Sequence, residues 1–485
     1  MKIYIKNLFV LPTLIASLDL LPVSLVTAQT FTPLKSFLNG SDGIYDGSNP
    51  NSGLILSGNT LYGTTYYNNG ITGMNNGAVF AVDIFGKNFR TPHIFSVESK
   101  SNLNYTNSDG ANPSAGVILS GNTLYGTAQY GGSIGLGTVF SVNTDGTGFT
   151  NLHNFTFDGG SDGNLPTAGL ILSGNKLYGT ASGGGIYGQG TVFAVNTNGT
   201  GFTTMHSFTV ESKSNLNYTN SDGANPNASL ILSGITLYGT TPNGGIAGWG
   251  TLFAINTNST GFTNLYSFTG GSDGANPFGL ILVGNKLYGA AGSGGSSGKG
   301  TLFAINTNGT DFTTLYSFTG GSDGAYPNAV LILSGYTLYG TTAGGGSSGN
   351  GTVFAVNTDG TGFTNLYSFT ATSGFNRMNG DGANPEGVIL FANTLYGTAY
   401  YGGGVGAGTL FRLSLPPPQL TIIPSATNVI LTWPTYAPGV TLQSTTNFVS
   451  SVGWNTNLPS PVIVNGQNAV TNPISGTQMF FRLSQ

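Results

Sequence analysis

Cysteine is absent from the 485 residues, which excludes disulfides and thiolate metal sites. Charge is scarce. Lys, Arg, Asp and Glu make up 6% of the chain, against about 25% in an ordinary globular domain. The net charge of −4 is small and dispersed, with no Lys/Arg cluster to hold phosphates, so nucleic acid is not expected as a partner. Only three histidines are present, and the glutamates are Glu98, Glu211 and Glu386. The apolar period of amphipathic helices is missing after the first 30 residues, and no later run is long enough to span a membrane as a helix. Abundant glycine with little charge can signal disorder. Here 39% hydrophobic and 12% aromatic residues fall at regular positions instead, which points to an all-β chain with many turns.

The N-terminus carries an export pattern. Lys2 and Lys6 precede an apolar stretch from Leu8 to Leu18, and Val26-Thr27-Ala28 offers a small-residue cleavage site before Gln29. Residues 1–28 are therefore expected to be a signal peptide, and the rest to be secreted or held at the cell surface.

Four short elements then recur seven times. Leu-Tyr-Gly places its Tyr at 62, 125, 178, 238, 288, 339 and 396, each after an apolar run and a turn such as Ser173-Gly174-Asn175. A third element, Gly-Thr-Val-Phe or close to it, opens at Gly77, Gly137, Gly190, Gly250, Gly300, Gly351 and Gly408. A fourth, Phe-Thr-x-Leu-Tyr-Ser-Phe in its commonest form, opens at Phe31, Phe89, Phe149, Phe202, Phe262, Phe312 and Phe363. Each element has strand length and each gap carries turn residues. Four antiparallel strands per unit of about 50 residues predict a propeller blade. The chain opens on a lone fourth strand, 31–37, and its last repeat ends on a third strand, 409–413. One blade is then built from both ends, which removes open sheet edges. The expected fold is all-β: a seven-bladed β-propeller over 29–415, a proline linker at 416–419, and a fibronectin- or immunoglobulin-like β-sandwich over 420–485. Trp433 and Trp454 are expected in the core of that last module.

The Leu-Ile-Leu-Ser-Gly-Asn-Thr-Leu-Tyr-Gly-Thr core, followed by a glycine loop and Gly-Thr-Val-Phe, resembles the Gloeo/Verruco (GloVer) tandem repeat of secreted bacterial proteins. The resemblance covers roughly 31–413. It implies an extracellular location, often with a separate C-terminal sorting element, and no known activity or catalytic residues. The tail, with Leu431-Thr432-Trp433-Pro434 and a final Phe-Arg-Leu, looks like a β-module found on such proteins, and it lacks the apolar helix and basic end of the usual sorting signal.

Several catalytic patterns occur by chance. Gly270-Gly271-Ser272-Asp273-Gly274 fits a nucleophile elbow, but it recurs at 159–163 and 320–324 after fourth strands with no helix to follow. Gly183 to Gly188 and Gly344 to Gly349 fit Gly-x-Gly-x-x-Gly, yet they join two strands and offer no helix N-terminus. His93, His153 and His206 occupy one place in successive fourth strands, where other copies carry Tyr266, Tyr316, Tyr367 and Lys35. They should lie far apart, so no shared metal is expected. The recurring Asp46, Asp109, Asp162, Asp222, Asp273, Asp323 and Asp381 read as turn residues whose carboxylates cap their own backbone. The segment Val97–Pro113 is repeated letter for letter at Val210–Pro226 and reads as a duplicated surface loop.

The variable loops between second and third strands supply the candidate site. They carry Tyr66 and Tyr67, Tyr130, Tyr187, Trp249, then Gly and Ser in two repeats, then Tyr400 and Tyr401. In a closed ring these aromatics are contiguous and form a crescent suited to stacking on sugar rings or a flat peptide. The sequence thus predicts a secreted binding or scaffold protein recognising a polysaccharide or a surface protein, with no catalytic residues, cofactor or metal. An extracellular carbohydrate-active enzyme and a purely structural surface component are the alternatives.

Overall fold

The computed structural model describes residues 29–38, 46–67, 76–101, 104–156, 161–214, 217–416, 418–425, 427–434, 440–446, 454–456, 458–464, 467–473 and 479–484. The expected leader, 1–28, lies outside them. Among the described residues every regular element is a strand, and no helix is long and apolar enough to cross a membrane.

Seven antiparallel sheets follow one another along the repeats. The first holds Ile55–Ser57, Thr60–Thr65, Ala78–Asp83 and Arg90–Ile94 in that spatial order. The next five repeat the pattern over 118–154, 171–207, 231–267, 275–317 and 325–368, the sixth with an extra short strand, Ala325–Pro327. The seventh takes Ala383–Phe391, Thr394–Tyr401 and Thr409–Ser414 from the end of the repeats and Thr30–Ser36 from their start. Thr30 pairs with Ser414 and Ser36 with Thr409, with a bulge between Pro33 and Lys35.

The side chains explain why the sheets stack. The Leu and Tyr of Leu-Tyr-Gly and the Thr-Val-Phe strand are buried in every sheet. One core joins Tyr125 and Val139 of the second sheet to Leu170, Leu177, Phe193 and Val195 of the third. The sixth and seventh share a core through Tyr339, Phe369, Leu395 and Phe411, and the seventh meets the first through Tyr396, Leu410, Leu61 and Phe80. The contacts therefore run in a closed cycle. The glycine of Leu-Tyr-Gly lets the Phe ring lie flat on the neighbouring strand: a Cβ on Gly63, Gly126 or Gly239 would sit 2.4–2.6 Å from a Phe Cζ.

An outer belt repeats the cycle in polar form. His93, His153, His206, Tyr266, Tyr316, Tyr367 and Lys35 each reach the recurring Asp of the following link, at 2.7–3.2 Å. Each also lies on the Phe that opens the next sheet's outer strand. His153 stacks on Phe202 at 3.6 Å, Tyr367 on Phe31 at 4.0 Å, and the Lys35 ammonium sits 4.4 Å from the Phe89 ring. This corrects the reading of the aspartates as caps of their own turns. Asp222 accepts from His206 Nε2 and from the Thr209 amide and hydroxyl, thirteen or more residues back. Its carboxylate clamps the end of one outer strand to the link that starts the next sheet. The duplicated loops each hold a two-stranded hairpin, Ser99–Ser101 with Asn104–Thr106 and Ser212–Ser214 with Asn217–Thr219.

Beyond the proline run, Thr421–Ser425, Asn428–Pro434, Gln467–Pro473 and Val462–Val464 form one sheet, and Thr441–Thr445 pairs with Phe480–Ser484. Leu431, Trp433, Leu442, Val470 and Phe481 bring the two together in one core. Trp454 is half-buried beneath the Arg482 guanidinium, 4.1 Å away.

Candidate functional site

Each link between sheets reads Asp-Gly-x-x-Pro, and the residue before the proline turns into the left-handed region. Asn49, Asn112, Leu165, Asn225, Asn276, Tyr326 and Asn384 all have φ between 54° and 59°. Asn tolerates this conformation better than other side-chain-bearing residues. Here it also donates: Asn112 Nδ2 to the Tyr66 carbonyl, Asn225 to Ser182, Asn276 to Pro242 and Asn49 to Tyr400, each 2.9–3.0 Å. The residue after the proline lies four positions ahead of the inner strand in five sheets, and within it, in Ala275–Val283 and Ala383–Phe391, in the fifth and seventh.

Those seven residues are Asn51, Ser114, Thr167, Asn227, Phe278, Asn328 and Glu386, and all of them line one cavity of about 990 Å³. Its wall is completed by residues that follow Leu-Tyr-Gly in five of the sheets: Tyr66, Tyr67, Gln129, Ser182, Pro242, Asn243, Tyr400 and Tyr401. The repeat thus delivers a variable post-proline position from every sheet, and a second variable position from five of them, to a single space.

Of the seven aromatics singled out in the sequence, four meet there. Tyr66 and Tyr67 contact edge-to-face at 4.6 Å, as do Tyr400 and Tyr401 from the adjoining seventh sheet. Tyr66 donates its hydroxyl to Gln129 Oε1 at 3.0 Å. Burial, reinforced by the neighbouring tyrosines, pushes the Tyr66 and Tyr400 hydroxyls well above the usual phenol value, so both remain donors. Arg377 stacks its guanidinium 4.6 Å from the Tyr401 ring. The other three stand outside the lining. Tyr130 is 37% exposed and Tyr187 50%. Trp249 covers Gly270, where a Cβ would meet its Nε1 at 2.6 Å.

Glu386 is the lining residue that sequence reasoning passed over. It is the one carboxylate in the lining, and it is half-buried. Burial pushes it up to about 8, against a hydrogen bond from Asn328 Nδ2 at 3.1 Å that favours the ionised form. It therefore stays protonated at neutral pH and can donate as well as accept. A signal was present in the sequence: Glu386 stands at the post-proline position where the other copies carry Asn, Ser, Thr or Phe.

Among the described residues no cluster of three His, Cys, Asp or Glu side chains could hold a metal ion. His93, His153 and His206 each serve a different sheet interface.

No curated protein matches the sequence. Solved structures are similar at low identity. An oligogalacturonate lyase from Vibrio parahaemolyticus is 7% identical, with a TM-score of 0.48 over 80% of this chain and 98% of that one. An oligogalacturonate lyase in complex with manganese is 11% identical, with a TM-score of 0.45 over 74% and 86%. The GH74 enzyme of Niastella koreensis is 14% identical, with a TM-score of 0.44 over 84% and 59%. The model of the Gloeobacter/Verrucomicrobia repeat matches residues 99–284 and 278–449. With most of the sequence covered by two tandem matches, the chain belongs to the Gloeobacter/Verrucomicrobia repeat family.

Proposed function

We propose that this chain is an exported glycan-binding protein, built as a seven-bladed β-propeller with a small C-terminal β-sandwich. The seven sheets in a closed cycle of contacts support the propeller reading. The two sheets around Trp433 support the sandwich. The leader-like sequence at 1–28 supports export.

The observation that carries the binding reading is the tyrosine wall. Four tyrosines from adjoining sheets flank a cavity whose remaining lining is amide, hydroxyl and apolar groups, with the Phe278 ring and the single carboxyl of Glu386. Aromatic faces stack on the apolar faces of sugar rings, while hydroxyl and amide groups meet the sugar hydroxyls. Tyrosine does both at low entropy cost. The test is a glycan array probed with the purified chain and with the variant Tyr66→Ala/Tyr400→Ala. Binding that the double variant loses supports the reading. Absence of any glycan signal from the parent chain overturns it.

A further inference from the structure

Resting on that reading, we propose that Asn227, Phe278, Asn328 and Glu386 form a subsite for one uncharged pyranose, the unit of the glycan that reaches deepest past the tyrosine wall. These residues occupy the same post-proline position in the fourth, fifth, sixth and seventh sheets, so they form one unbroken arc around the cavity. Phe278 is the only aromatic among the seven post-proline residues. Its ring lies over Gly292, where a Cβ would meet Phe278 Cε2 at 3.0 Å. Gly292 is the fifth sheet's counterpart of Tyr66 and Tyr400, four residues beyond the Tyr of Leu-Tyr-Gly. Phe278 thus restores an aromatic face on a sheet whose loop has none.

Polar groups flank that face on both sides. Asn227 precedes it by one sheet and Asn328 follows it by one. The side-chain oxygens of Asn227 and Asn328 are buried without a hydrogen-bond partner. An unmet buried acceptor costs about 1–3 kcal/mol, and turning the amide toward the cavity would let a sugar hydroxyl satisfy it. Asn328 is already fixed by its bond to Glu386. An aromatic plate edged by amides and one carboxyl matches a pyranose, with its apolar face and equatorial hydroxyls.

The lining also dictates the charge of the ligand. Among the described residues it contains no Lys, Arg or His. A uronate or sulfate would lose its water beside Glu386 without a cation to pair with, a costly step. An ammonium sugar would need an ionised partner, and the one carboxyl in the lining retains its proton at neutral pH, burial being the cause. The subsite therefore selects against both signs of charge.

The experiment is an array of neutral, uronate-bearing, sulfated and glucosamine-bearing oligosaccharides at pH 7, followed by calorimetry on the strongest ligand. The parent chain should bind neutral glycans. Phe278→Ala should weaken binding about tenfold, the scale of one stacking contact. Glu386→Gln, which keeps a donor and an acceptor, should stay within about threefold of the parent, whereas Glu386→Leu should lose tenfold or more. Phe278→Leu, which keeps the volume without the ring, separates lost stacking from a disturbed fold, and thermal midpoints check each variant. Preferred binding of uronate, sulfated or glucosamine glycans refutes the subsite while leaving the glycan reading intact. So does full affinity in Phe278→Ala when Tyr66→Ala/Tyr400→Ala abolishes binding. Failure of every glycan removes the broader reading together with this one.

Discussion

Glu386→Gln should make the protein more stable at neutral pH, and the gain should grow with pH. In the folded chain the Glu386 carboxyl keeps its proton up to about pH 8, because burial penalises the charge. In the unfolded chain it ionises near its ordinary value of 4.5. Between those values the folded state binds the extra proton, so stability falls as pH rises through that window and levels off above it. At 1.36 kcal/mol per pH unit, the ceiling on the cost is about 3 kcal/mol at pH 7 and about 5 above pH 8. The cavity admits water and Glu386 retains some exposure, so a gain of about 1–2 kcal/mol is expected at pH 7. Glutamine cannot ionise, and its carbonyl can still accept the bond from Asn328. Urea unfolding at a series of pH values from 4.5 to 9 gives the difference directly. It should be near zero at pH 4.5 and should widen through neutrality. A difference that stays flat across that range, or a variant less stable than the parent at pH 8, would refute the account of Glu386.

Other expectations concern the repeat. Leu165 adopts φ of 54° at a position where five of the seven copies have Asn. Leu165→Asn should therefore stabilise by about 1 kcal/mol, read by urea unfolding, and a loss of stability would contradict the turn argument. Asp222→Ala strands the His206 ring nitrogen and the Thr209 amide and hydroxyl, and should cost about 3 kcal/mol. Acid should weaken the belt in two stages. Burial lowers His153 below its ordinary 6.5, so its protonation begins to oppose folding as pH falls through that value. Burial raises Asp109 and Asp222, but hydrogen bonds from His93 and Ser96, and from His206 and Thr209, outweigh it and hold both carboxyls below the usual 3.8. Their contribution is present above 3.8 and is lost as pH falls through the lower folded values, so Asp222→Asn should flatten the acid end of the stability curve measured from pH 7 to pH 3.

Strand positions were legible in the sequence because sevenfold repetition turns weak local signals into a strong one. Leu-Tyr-Gly and Gly-Thr-Val-Phe recur with buried residues at fixed places, and the structure makes each a strand of a four-stranded sheet. The phase of the repeat placed a lone fourth-strand sequence at Phe31, and that segment pairs with Thr409–Ser414. The family was legible for the same reason. Non-local partnerships were not. Asp109 looks like a turn residue when read with its neighbours, because His93 is sixteen positions away and Phe149 belongs to another sheet. Glu386 was hidden differently. The loops are conspicuous in sequence, while the post-proline position varies quietly among Asn, Ser, Thr, Phe and Glu, and only the folded ring shows that these residues share a cavity. Tyr187 and Trp249 look like Tyr66 in sequence, yet their loops line the cavity only through Ser182 and through Pro242 and Asn243, and sequence spacing carries no record of that.

The first and last strands of the repeats join in the seventh sheet, whose Glu386, Tyr400 and Tyr401 line the cavity, and a cysteine-free chain allows that join to be tested cleanly. Thr32 lies opposite Arg412 in the seventh sheet, within the Cα separation of an antiparallel pair, about 4.5–5.5 Å, which suits a disulfide. Purified Thr32→Cys/Arg412→Cys should oxidise to a single intramolecular disulfide, with a thermal midpoint that drops on reduction. Two free thiols, or disulfide-linked dimers in place of the internal bond, would show that the chain ends do not meet and that the ring and its cavity are wrong.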